Sequence, residues 1–116
     1  HGYWDTGLVI KLAHSRQSAA LAKLMMAEGA PPEAATAGDY HHWAEAWATE
    51  SIRAARIAYS GITFGAAELN DNGGIREIAI TLPPDYDERA LPVVRRRLTL
   101  AGYRLAALLN ALHWAQ

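Results

Sequence analysis

The C-terminal stretch of the chain constrains its fold most sharply. Leu91, Val94, Leu98, Ala101, Leu105, Leu108 and Leu112 recur at steps of three and four, the spacing that places side chains on one face of an α-helix. Pro83-Pro84-Asp85 opens the region, and Pro92 is expected to kink the helix or to mark the first turn of its main part. Gly102 lies inside the apolar run, where glycine costs about 1 kcal/mol against alanine. Close approach of another helix at that point accounts for it best.

Upstream, the pattern is also helical. Tyr3 to His14 is mildly periodic through Trp4, Leu8, Ile10 and Leu12, and Ser15 is placed to cap a second helix reaching about Glu28, with Leu21, Leu24 and Met25 inward. Gly29 and Pro31-Pro32 end it. After a small-residue connection, Asp39 is a plausible N-cap for a long helix to Tyr59, with an apolar stripe of Trp43, Trp47, Ile52, Ala55 and Tyr59. Ser60-Gly61 closes that helix. Between Ile62 and Leu82, Asp71-Asn72-Gly73-Gly74 is a strong turn signal. Ile62-Thr63-Phe64 and Ile78 to Thr81 fit either a short hairpin or extended loop, because an isolated strand pair is marginal. The reading is a mainly α chain: a bundle of about four helices with a long, kinked last helix and a possible short hairpin, spanning 1–116 as one unit.

Composition narrows the functional classes. The 116 residues carry 11 basic and 12 acidic side chains, for a net charge of −1. That balance provides no electrostatic footprint for duplex DNA, although a protein that grips phosphate through metal ions does not need one. Without cysteine, thiolate zinc sites and disulfides are excluded. No apolar stretch is long enough to span a membrane, and no stretch is expected to act as a signal peptide. The opening at His1, without methionine, reads as a processed, cleaved or shortened terminus.

His1 and Asp5 are the first candidates for chemistry. Four residues apart on a helix, an imidazole and a carboxylate share a face and can converge on one ion. The spacing alone is weak, and an exposed hydrogen-bonded pair is the commoner meaning of such a pattern. His41-His42 point about 100° apart on a helix and read as solvated surface. His14 and His113 sit near helix ends, where the helix dipole favours them. Glu45 and Glu50 with Arg53 and Arg56 read as ordinary helix surface charge. Arg95-Arg96-Arg97 fans around its helix as a solvated face with salt bridges. Gly73-Gly74 lacks the strand–turn–helix setting of a phosphate loop. Ser51 and Ser60 have no nearby base to activate them.

Three stretches together resemble one family. His1-Gly-Tyr-Trp-Asp5, continuing into Thr-Gly-Leu-Val, resembles the His-x-x-Trp-Asp-x-x-Leu/Ile segment of the S-one/P-one type zinc nucleases. Trp43-Ala-Glu-Ala-Trp47-Ala-Thr-Glu50-Ser51, with Tyr59 beyond, is similar to that family's Trp-Ala-x-Glu-Ser helix. Tyr86 to Asn110, with Leu91-Pro92-Val93-Val94 and the block Leu100 to Asn110, resembles its terminal helix.

The resemblance implies part of a phospholipase C/nuclease-like all-α fold, secreted or periplasmic, in which up to three zinc ions sit in a cleft. Metal-bound water cleaves single-stranded DNA or RNA and removes 3'-phosphates from nucleotides. His1 and Asp5 match residues that bind one zinc of that cluster, with Trp4 in support. The family's N-terminal tryptophan and its other His and Asp ligands have no counterparts here. A catalytic zinc usually takes three protein ligands, so the chain is expected to be a C-terminal fragment with at most one partial site, inactive alone. Its partners would be the missing N-terminal half and, in the parent, single-stranded nucleic acid. Apolar surface left bare invites homo-oligomers. Two other readings stand beside this one: a phospholipase-C-like phosphodiesterase of the same fold, and a non-catalytic helical interaction domain.

Overall fold

The computed structural model describes residues 2–112. A π-helical stretch, Tyr3–Leu8, runs directly into α1 (Val9–Ala13), followed by α2 (Ser18–Ala27), α3 (Trp43–Tyr59), strands β1 (Thr63–Leu69) and β2 (Ile75–Thr81), and α4 (Tyr86–Ala111). Short 3₁₀ turns at Pro32–Ala34 and Tyr40–His42 lie between α2 and α3. The chain is therefore mainly α, with a single two-stranded sheet among the described residues.

Local chemistry explains most boundaries. The Asp39 carboxylate accepts from the His41 N–H at 2.9 Å, which caps the 3₁₀ turn leading into α3. Gly61, at φ +75°, lets the chain reverse after α3. In the hairpin turn the Asn70 side chain accepts from the N–H groups of Asn72 (3.1 Å) and Gly74 (2.8 Å), while Gly73 takes φ +75°. Ser15 does not cap α2. His14 and Ser15 both have positive φ, at 46° and 64°, which breaks the helix, so α2 starts at Ser18 after an extended Gln17. Two successive non-glycine residues in the left-handed region cost energy, and no short-range sequence pattern announces them.

The core sits where the π-helical stretch meets the first half of α4. Leu8 is fully buried against Tyr86, Ala90 and Val94, with Trp4, Val9, Leu12, Ile62, Leu82 and Leu91 packed around them. Helix α4 runs unbroken through Pro92. Proline there removes a backbone hydrogen bond, but Ala90 and Val94 are anchored in the core on either side, which holds the helix together.

Beyond Val94 the expected apolar stripe of α4 is not the face that packs. Leu100 and Arg104 are buried, whereas Leu98 and Leu105 are 39% and 57% exposed and Ala101 is exposed too. The expected helix at Gly102 is also missing among the described residues: a Cβ there would meet nothing within 4 Å. Helix α3 buries no residue, and its predicted stripe leaves Ile52 and Tyr59 bare.

Both strands are exposed along their whole length. Their register pairs Phe64 with Ile80, Ala67 with Ile78 and Leu69 with Ile75, so apolar side chains oppose one another across the ladder and stay exposed. Thr63 pairs with Thr81 and Glu68 with Glu77. The radius of gyration is 17.9 Å, against about 13 Å for a compact domain of this length. Accessible surface is 8731 Å², against roughly 6,200 Å² for a folded monomer of this mass.

Candidate functional site

The turn that carries Asp5 is built by a π-helix, not by the α-helix that the sequence suggested. Its hydrogen bonds skip five residues rather than four, which widens the turn. Asp5 is exposed on this turn. His1, its expected partner, lies outside the described residues, as does His113.

Neighbouring residues fasten the turn to α4. Trp4 Nε1 donates to the Tyr86 hydroxyl at 2.6 Å, and that hydroxyl donates to the Ala58 carbonyl at 2.6 Å. One residue along on each side, Tyr3 donates to the Asp87 carboxylate. Lys11 donates to Asp87 and also to the Tyr3 hydroxyl at 3.0 Å, with its ammonium 5.0 Å from the Tyr3 ring centroid. The hydrogen bond from Lys11, then that from Tyr3, holds the Asp87 carboxyl below its ordinary range. Asp87, and after it Tyr3, raises the Lys11 ammonium above its own. The Tyr3 and Tyr86 rings lie 5.9 Å apart and tilted. Together with Trp4, Ala58, Tyr59, Ile62, Ile80 and Leu82 they line a largely apolar cavity of about 380 Å³ beside the turn.

A second polar cluster joins α3, α4 and the connection between α2 and α3. Arg104 is 5% exposed. It donates to both oxygens of Glu50, at 2.8 Å each, and to the Glu33 carbonyl at 2.7 Å. Its guanidinium carbon lies 5.5 Å from the Trp47 ring centroid. Arg97 donates to Ser51 at 2.6 Å and approaches Glu50 at 3.4 Å. Arg104, above all, holds the Glu50 carboxyl below its usual range. Glu50 is thus no ordinary surface charge: it is the counter-ion of a buried arginine. The other arginines of the run behave as expected, with Arg95 on Glu28 and Arg96 on Glu33. Ser51 donates to the Trp47 carbonyl at 2.8 Å. His41 rests on Asp39 at 2.7 Å and stacks on Tyr40 at the surface.

Sequence reasoning missed two parts of this arrangement, the Trp4–Tyr86–Ala58 bridge and the Glu50–Arg104 pair. Their members lie 82 and 54 positions apart at the extremes, and periodicity within one helix cannot reveal them. Arg104 left one usable signal, as the single charged residue in the stretch from Leu98 to Leu109.

A mainly α chain with an exposed carboxylate on a clamped, widened turn is the class that fold and site define. The model of the S1/P1 nuclease family matches residues 1–113. The chain belongs to that family, which places it among nuclease-type phosphodiesterases, hydrolases that act on nucleic acids. No curated protein and no solved structure gave a significant match. S1/P1 nucleases are zinc enzymes as a class. Among the described residues, however, no three His, Asp or Glu side chains come together as a metal cluster. Asp5 is the only one of the two expected ligands within that range. The described residues by themselves therefore do not fit a zinc ion, and no reaction step follows from them.

Proposed function

We propose that this chain is the C-terminal part of a zinc-dependent phosphodiesterase that hydrolyses single-stranded DNA or RNA, and that it does not turn over substrate alone. The family match over residues 1–113 carries the nuclease part of the reading. Two structural features support it. Asp5 lies on a turn that Tyr3 and Trp4 fix to α4, so the position of this candidate ligand is set by the core. The chain also leaves roughly 2,500 Å² more surface open than a folded monomer of its mass, including apolar side chains of α3, α4 and the hairpin.

In this reading His1 and Asp5 supply two donors to one zinc ion, and further polypeptide of the parent supplies the rest of a cluster of up to three. The chemistry such an ion supplies, polarisation of phosphate and activation of water, would belong to the completed cluster of the parent and not to the residues of this chain alone. This chain's own contribution is to hold the Asp5 carboxylate in place through Trp4, Tyr86 and the Tyr3–Asp87–Lys11 group. Such an enzyme would work outside the cytoplasm, secreted or periplasmic. No helix among the described residues is long and apolar enough to cross a membrane.

The test is an Asp5→Ala exchange in the longer, zinc-loaded protein. Zinc content by elemental analysis should fall by about one equivalent, and cleavage of a single-stranded oligonucleotide should drop at least about 100-fold. Unchanged zinc content and unchanged cleavage would remove Asp5 from the metal centre.

A further inference from the structure

We infer that Tyr86 is a positioning residue, whose hydroxyl sets the π-helical turn that presents Asp5. Its ring is 4% exposed, in the core beside Leu8. A buried phenol is costly unless its oxygen is satisfied, and here the hydroxyl is used in both senses: it accepts from Trp4 Nε1 and donates to the Ala58 carbonyl, each at 2.6 Å. Ala58 is the next-to-last residue of α3, so its carbonyl is one of those that a helix end leaves without an intrahelical partner. One oxygen atom thereby joins three elements: the turn, the end of α3 and the start of α4.

The π-helical form of the turn gives this bridge its consequence. A five-residue hydrogen-bond step winds the chain by roughly 80° per residue, against 100° in an α-helix. Leu8, fully buried, anchors one end of the stretch. Relaxation to an α-helix would swing Asp5, three residues before that anchor, by roughly 60° around the axis. Trp4, adjacent to Asp5, is tied to Tyr86 and so opposes that rotation. The pairing continues one step along, with Tyr3 on Asp87, so two consecutive residues of the turn are gripped by two consecutive residues of α4.

The functional weight of this inference rests on Asp5 being a metal ligand, but its structural content does not. Tyr86→Phe keeps the ring and removes both hydrogen bonds. Amide hydrogen exchange, read by NMR without metal, should quicken about tenfold or more at residues 3–8, and the Trp4 indole N–H resonance should shift. Protection in the middle of α4 should stay as it was. Trp4→Phe, which cuts only the near arm of the bridge, should reproduce the change at residues 3–8. Unchanged exchange in the turn, or an equal loss throughout the chain, would overturn the inference. Because no metal is present, this result is independent of whether Asp5 binds zinc.

Discussion

Replacing Glu50 with alanine removes both carboxylate oxygens that Arg104 uses, while the arginine stays 5% exposed among Trp47 and the Glu33 carbonyl. One of its nitrogens, Nε, is already buried without a hydrogen-bond partner among the described residues. Breaking a fully buried pair by deleting one partner costs about 3–5 kcal/mol. The Glu50 side chain is 35% exposed, so water screens the pair and can re-enter, which lowers the expectation to about 2–3 kcal/mol. With an unfolding entropy of about 2.1 cal/mol/K per residue, that loss lowers Tm by roughly 8–12 °C for a chain of this length. Thermal unfolding followed by circular dichroism measures it directly. Glu50→Gln, which keeps one acceptor, should lose about half as much. If Glu50→Ala shifted Tm by less than about 2 °C, the pair would not be joining α3 to α4, and the cluster would be surface charge after all.

Four further outcomes follow. Leu8→Ala, at the one fully buried side chain among the described residues, should cost about 2–5 kcal/mol in denaturant unfolding, and a loss under 1 kcal/mol would misplace the core. Gly102→Ala should stabilise this chain by about 1 kcal/mol in denaturant unfolding, since the added methyl meets open space. Asp87, Glu50, Glu33 and Asp39 all have lowered carboxyl pKa values, from Lys11, Arg104, Glu33's own backbone N–H and the His41 backbone N–H respectively. Lowered folded-state values add stability that is complete above the ordinary carboxylate range and fades as pH falls below it. Denaturant midpoints should therefore drop on acidification below about pH 4, with a smaller drop in Asp87→Asn. Sedimentation of the isolated chain at rising concentration should show self-association, weakened by Phe64→Ser with Ile80→Ser; a monomer at all concentrations would contradict it.

Much of the fold was legible because local chemistry decides it. Asp39, Gly61 and the Asn70–Gly74 turn act over a few residues, and each does in the structure what its residue type permits. The long last helix was equally readable from its spacing. The packed face of α4 was not, because periodicity records which side of a helix is apolar, not which side finds a partner in this chain. Leu98, Ala101 and Leu105 are apolar and bare, while Arg104 is charged and buried because Glu50 and Trp47 happen to meet it. The break at His14-Ser15 and the π-helical form of Tyr3–Leu8 depend on tertiary packing. For the candidate site, the Asp5 position came from a short motif, whereas its supports Tyr86 and Asp87 arrive from the far end of the chain. Its proposed partner His1 lies outside the described residues.

Cleavage of a single-stranded oligonucleotide in the presence of zinc, compared between this 116-residue chain and a longer polypeptide that contains it, tests the central claim most directly. A partial metal site should give no turnover from the short chain and zinc-dependent cleavage from the long one. Zinc-dependent cleavage by the short chain at the rate of the long one would contradict the proposal that its ligands are incomplete.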